Sequence, residues 1–325
     1  MITASRFRPL LVVAIAMLLA APMVPVTAQD DGPEGKIAFV QDGDIWQWST
    51  DGTTKVIEDG NATDPTWSPD GRRVLYARDG GSYSNLLLAD VDTGRVTRLT
   101  DNESDYEVGS PDYVATSYWA IDPSWSASGI VCFISDAATE GLAMQLWILD
   151  PDNGQAYVAA DDGGDQGPIE HVSIDADATW AVYTVFAAGG LEGGTTYVSM
   201  RDINTGTTYP IIEGPQGAYD PAIAPDGNHI VATIRDEQGV SDLWLFDRET
   251  DELTRLTTDA GATNAVWSPD GEWVAYLRWS GSGFELWALP VDVDRGDPAG
   301  EPQKLVDAQK SMDSTSGLSW VKERR

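Results

Sequence analysis

The sequence predicts an all-β protein: a six-bladed β-propeller of four-stranded antiparallel blades, closed by pairing N-terminal strands with the C-terminal strand. Three observations predict it. Trp67-Ser68-Pro69-Asp70-Gly71 returns as Trp267-Ser268-Pro269-Asp270-Gly271, with weaker copies at Ile223-Ala224-Pro225-Asp226-Gly227 and Trp125-Ser126-Ala127-Ser128-Gly129. Each copy lies between two short apolar runs. The C-terminal segment opens a repeat unit that the N-terminal segment completes.

The copies set the period. The same spacing joins Trp67 to Tyr76 and Trp267 to Tyr276, and counted back from Tyr183 it marks Ile174 as the start of a degraded copy. Leu318-Ser319-Trp320 opens one more. The reference positions Trp67, Trp125, Ile174, Ile223, Trp267 and Trp320 are on average about 51 residues apart, the size of a four-stranded blade.

In the first unit the expected strands are 65–68, 74–77, 86–89 and 96–99, joined by Asp-Gly and Asp-Thr-Gly turns. Glycine there accepts positive φ without steric cost. Trp, Val, Leu and Tyr between the turns suit strands with a buried face. Units two to five repeat the pattern, the third being the most degraded. Their third strands include Leu146-Trp147-Ile148-Leu149, Leu243-Trp244-Leu245-Phe246 and Leu286-Trp287-Ala288-Leu289. The sixth unit is shared between the chain ends. Trp320 begins it, and 37–40, 45–48 and 55–57 supply the missing strands. Closure of this kind leaves no open sheet edge. A solenoid or a sandwich would not need complementary half-blades at the two ends.

Residues 1–28 read as a signal peptide. Arg6 and Arg8 precede the apolar run 10–21, and Val26-Thr27-Ala28 offers small residues for cleavage before Gln29. The run is short for a spanning helix, which needs about 20 residues. The expectation is an exported protein (periplasmic, cell-surface or extracellular) with a short linker at 29–35 and a single propeller domain at 36–325. An uncleaved leader kept as an anchor is the alternative. The single cysteine, Cys132, falls in an expected strand and reads as a small buried apolar residue. No intramolecular disulfide is possible, so burial must hold the fold.

The formal net charge is −32, and loss of Arg6 and Arg8 with the leader makes it −34. A field of this sign repels nucleic acid and anionic lipid. Neither nucleic-acid binding nor stable membrane insertion after cleavage is expected. The charge suits divalent cations, a basic partner or simple solvation.

Strand direction alternates, so the loops entering each blade and the links between second and third strands share one face. The repeated turns occupy the other. The first face carries long, unlike loops at 101–121, 135–142, 161–170, 187–195 and 214–220. Loops vary where binding is placed on a rigid scaffold. In the longest, Tyr118 and Trp119 are the candidate binding residues for a peptide, a basic protein surface or a sugar ring. Tyr106 and Tyr113 read as surface cover.

One position stands out within the units. Three residues before each reference lie Asp64, Asp122, His171, Asp220, Asn264 and Gly317. They are expected at the entry to the innermost strand, around the mouth of a central channel. The set Asp64, Asp122, Asp220, His171 and Asn264 is a candidate binding ring. Asp64, Asp122, His171 and Asp220 are candidate metal ligands for Ca²⁺ or another divalent cation. Glu170 is a candidate base beside such a metal. The competing reading is turn capping by the same side chains. Asp150–Gly154 and Asp292–Asp297 look like calcium loops but lack the spacing and closing Glu of an EF-hand, and turn chemistry accounts for them.

The string Arg255-Leu256-Thr257-Thr258-Asp259 followed by Ala265-Val266-Trp267-Ser268-Pro269-Asp270-Gly271 resembles the repeat of TolB-like β-propellers. So does Arg98-Leu99-Thr100-Asp101 followed by Asp122-Pro123-Ser124-Trp125-Ser126. Related repeats occur in the propellers of the dipeptidyl peptidase IV and prolyl oligopeptidase group. The resemblance runs from about residue 36 to 325 and implies the fold. TolB adds a small α/β domain and the peptidases an α/β-hydrolase domain. Here the expected strands begin close behind the expected cleavage point, and no Gly-x-Ser-x-Gly elbow is present.

The functional expectation is therefore a non-catalytic scaffold that binds protein or peptide through the long-loop face. The alternative is a metal-dependent, calcium-type hydrolase, lactonase or lyase acting at the channel mouth. A third reading is a module within a larger cell-surface assembly. The sequence assigns no oligomeric state.

Overall fold

Six antiparallel sheets ring a central channel in the computed structural model, which describes residues 32–137, 143–161, 167–186, 196–258 and 260–324. The expected leader and most of the loops at 135–142, 161–170 and 187–195 lie outside the described residues. The innermost strands are Ala62–Trp67, Ala120–Trp125, Ile169–Ile174, Ala218–Ile223, Ala262–Trp267 and Ser319–Val321. Three further strands lie outside each, and four in the fifth sheet. Blades are numbered one to six in that order. Among the described residues no helix is long and apolar enough to cross a membrane.

The repeated pentapeptide is a turn-building unit. In blade one, Ser68 Oγ donates to Asp70 Oδ1 at 2.6 Å and accepts from Arg73 N at 2.9 Å, while Asp70 Oδ1 accepts from Arg72 N at 3.1 Å. Gly71 takes φ 63°, where a side chain would be strained. Ser268, Asp270 and Gly271 repeat these bonds in blade five. In the weaker copies one partner suffices: Asp226 Oδ1 accepts from Asn228 N and His229 N, and Ser126 Oγ accepts from Ile130 N.

The core lies between blades rather than at the axis. Each of six apolar clusters joins two neighbouring sheets. Tyr76, Tyr183 and Tyr276, the aromatic positions of the repeat, are fully buried in these seams. Cys132 is buried and free, as expected.

Ring closure follows the expected pairing. Ile37 pairs with Trp320, flanked by Lys36 with Val321 and Ala38 with Ser319. Trp320 Nε1 donates to Glu34 O at 2.8 Å, and Trp67 N donates across the next seam to Ser319 Oγ at 2.8 Å. Arg324 clasps both oxygens of Asp92 at 2.7 Å.

Three details differ from expectation. The innermost strand of blade one starts at Ala62, ahead of the Asp64-Pro65 step taken for its entry. Blade five extends its third strand to Asp292 and adds the short strand Asp297–Pro298 before its outermost strand Gln303–Gln309. The 101–121 loop contains a helix, Pro111–Ala115, capped by Ser110 Oγ accepting from Tyr113 N at 3.1 Å.

Trp320→Ala should lower the unfolding free energy by about 3–5 kcal/mol, because it empties a buried seam site. Ser319→Ala should cost roughly 1 kcal/mol through the lost acceptor for Trp67 N. Urea denaturation of both variants checks the order; equal, negligible losses would contradict closure through this strand.

Candidate functional site

Asp64, Asp122, His171, Asp220 and Asn264 share one backbone conformation, with φ of 51°, 49°, 56°, 50° and 51°. Each opens a bulge in its innermost strand, where the register to the second strand shifts. They therefore sit in mid-strand, which corrects the expectation of a strand entry. The left-handed region explains the residue types. It strains most side chains, and Asp, Asn and His are enriched among the non-glycine residues that occupy it. Gly317 precedes the sixth innermost strand and is not left-handed.

The bulges turn polar groups along the ring. Asp122 N donates to Asp64 Oδ2 at 3.5 Å, and His171 N donates to Asp122 Oδ2 at 2.8 Å. Asp220 N finds Thr184 Oγ1 at 3.2 Å in blade three, since His171 offers no carboxylate there. Asp220 Oδ2 accepts from Thr263 Oγ1 of blade five at 2.9 Å. Asn264 Nδ2 donates to Ser314 O at 2.5 Å on the way into blade six. A second belt of serines runs below. Ser319, Ser124 and Ser173 each accept from the reference residue of the next blade. The serines went unread in the sequence, although each directly precedes a reference position or its equivalent.

The bulge residues form a waist between two cavities. The lower cavity, about 410 Å³, opens toward the repeated turns and is lined by prolines and the reference tryptophans; Asn264 and Gly317 belong to it alone. The upper cavity, about 860 Å³, opens on the long-loop face. Asp64, Asp122, His171 and Asp220 line both.

Aromatic side chains wall the upper cavity: Trp119, Phe186, Tyr219, Trp279 and Phe284. Trp119 is fixed through its main chain, its N–H donating to the buried Asp136 at 2.7 Å. Next to it, Ser84 Oγ of blade one bonds both the N–H and the carbonyl of Ala120 at 2.8 Å. Trp279 is 52% exposed and stands edge-on to Phe284 with ring centroids 5.1 Å apart. The Arg235 guanidinium lies 4.7 Å from the Tyr219 ring centre. Tyr118, the other loop candidate, is half-buried and does not line the cavity. Of the aromatic wall, sequence reasoning found only Trp119. Trp279 and Phe284 flank a Ser/Gly turn, a signal that was present.

The waist is electrostatically loaded. Burial, and then the Asp122 carboxylate, push Asp64 well above the usual carboxylate range. Burial also raises Asp122 and Glu170. For His171 burial opposes the charged ring, but Asp220, Asp122, Glu170 and Asp64 together outweigh it and raise the imidazole. Nδ1 of His171 lies 3.1 Å from Asp220 Oδ1 without forming a hydrogen bond to it.

The four candidate metal ligands do converge on one stretch of channel. Among the described residues, however, no three His, Cys, Asp or Glu side chains are placed to hold one metal ion. The three carboxylates are engaged along the ring. The two calcium-loop look-alikes are ordinary turns: Asp150 Oδ1 accepts from Asp152 N, and Asp292 pairs with Arg295.

A family profile described as the dipeptidyl peptidase IV (DPP IV) N-terminal region matches residues 37–117. TolB from Acinetobacter baumannii superposes with a TM-score of 0.66 at 18% identity, over 89% of this chain and 67% of that one. A chain of a nidogen/laminin complex gives 0.61 at 9% identity, over 88% and 97%. An oligogalacturonate lyase in complex with manganese gives 0.51 at 16% identity, over 84% and 74%. At these identities the likeness is one of fold. The chain folds as a six-bladed propeller similar to that of TolB, and the DPP IV profile matches its segment 37–117.

Two outcomes test the waist. Asp122→Ala should cost about 2–4 kcal/mol, from left-handed strain plus the lost acceptor for His171 N, whereas Asp122→Asn should cost under about 1 kcal/mol. The native state also keeps protons on Asp64 and Asp122 that the unfolded chain releases above about pH 4, and on His171 above about pH 6.5. These groups make stability fall as pH rises. Asp64→Asn should therefore gain on the wild type between pH 4 and pH 8 in urea denaturation. A pH-independent difference would contradict the burial of this carboxyl.

Proposed function

We propose that the protein is an exported binding scaffold that takes a protein or peptide on its long-loop face, without catalysis. The observation that carries this reading is the upper cavity: some 860 Å³, walled by five aromatic side chains from blades two to five and floored by the polar waist. Aromatic residues supply large contact area at low entropic cost and dominate binding hot spots. Trp119 and Trp279 are held by the fold, so little ordering is needed on binding. The lower face offers repeated turns instead.

Export rests on the leader composition, Arg6 and Arg8 before the apolar run 10–21. Periplasm, cell surface and extracellular medium all satisfy it. The acidic surface sets the class of partner apart from nucleic acid and anionic membrane.

A peptide-display selection on the immobilised mature protein tests this reading. Selected peptides should lose at least about ten-fold in affinity on Trp119→Ala and on Trp279→Ala, the scale of a hot-spot truncation. Tyr157→Ala, on the exposed outermost strand of blade two, should leave binding unchanged. Selection of no peptide, or peptides indifferent to both tryptophans, would overturn it.

A further inference from the structure

We propose that the floor of the upper cavity receives a cationic side chain, a lysine or arginine presented by the partner. This rests on the binding reading above and adds the chemistry of the group recognised. The first observation is an imbalance of charge in a walled space. Asp64, Asp122, Glu170 and Asp220 all line the cavity, and the cations that line it are His171 and Arg235. Arg235 is held at the wall over the Tyr219 ring. A buried carboxylate needs a cation or several donors. Asp64 receives one main-chain N–H, at 3.5 Å, with the Thr63 side chain beside it, and it keeps its proton while no cation is present.

The second observation is the imidazole at the waist, whose Nδ1 stands 3.1 Å from Asp220 Oδ1. His171 Nδ1 is buried at the waist without a hydrogen bond. An N–H of an incoming ammonium or guanidinium would give Asp220 Oδ1 the hydrogen bond that the imidazole does not.

The third observation is the origin of the walls. No lysine or arginine occurs in the sequence between Arg98 and Arg201, the stretch that supplies Trp119, Asp122, Glu170, His171 and Phe186 to the cavity. One side of the cavity is thus built from segments that bring no lysine or arginine, and His171 is their one basic side chain in the cavity. The aromatic wall suits the rest of the ligand: rings accept the alkyl stem of lysine or arginine and attract the cation through their faces. A divalent metal fits less well, since no three ligating side chains among the described residues surround one point.

The peptides selected by display on the mature protein are the probes. They should be enriched in lysine or arginine. Replacing that residue by norleucine should weaken binding at least ten-fold, and raising the salt concentration should weaken the parent peptide more than the norleucine peptide. Glu170→Gln and Asp220→Asn should each shrink the preference for the charged peptide. Glu170 is half-buried, so its variant keeps the test open should Asp220→Asn fail to fold. Peptides without basic enrichment, or with norleucine tolerated, would overturn this inference and leave the binding reading standing. A preference that persists in both variants would assign it to the general surface field and overturn it as well. Selection of no peptide would remove both.

Discussion

A left-handed residue in the middle of an innermost strand is the constraint on which the channel depends. Five of the six blades carry one. Such a residue costs about 1–3 kcal/mol unless its surroundings over-determine it. Here they do, because the bulge turns a short polar side chain along the ring to a neighbouring blade. Asp64 to Asp122 and Asp122 to His171 are direct links of this belt, and Thr184, Thr263 and Ser314 complete it where the pattern changes. Asp64, Asp122, His171 and Asp220, which tie the blades together, also floor the upper cavity. Fold and candidate site are thus one set of interactions.

The two ends of the channel have different origins. The lower end is made by the repeat itself, and its turns are satisfied internally by Ser, Asp and Gly. The upper end is made by segments that do not repeat: Trp119 and Ile121 at the close of the 101–121 loop, the Trp279–Phe284 link and the approach to blade six. Repetition leaves little room for specificity. Irregular loops on a rigid ring provide it.

This division also decides what the sequence discloses. The pentapeptide is local turn chemistry, so it could be counted, and counting led to six blades and to Trp320 beside Ile37. The waist residues could be located by the same count. Their role could not, because Asp64-Pro65 looks like a strand entry unless the second-strand register is known. The belt is a set of contacts between residues some fifty positions apart, which no local pattern displays. The aromatic wall was hidden for the same reason. Trp119 stood out in the longest loop, whereas Phe186, Tyr219, Trp279 and Phe284 come from separate blades and meet only after closure. Ser110-Pro111-Asp112, by contrast, carries a readable helix start: a capping serine, then proline and an acid in the first turn.

The indole N–H signals of the tryptophans report on the two ends of the channel separately. Trp119 and Trp279 stand at the upper cavity, and Trp67, Trp125, Trp267 and Trp320 line the lower one. Two-dimensional ¹H–¹⁵N spectra recorded while a selected peptide is added measure which of them feel the ligand. The account predicts shifts for Trp119 and Trp279 with the lower four unmoved. Shifts confined to the lower four would contradict it.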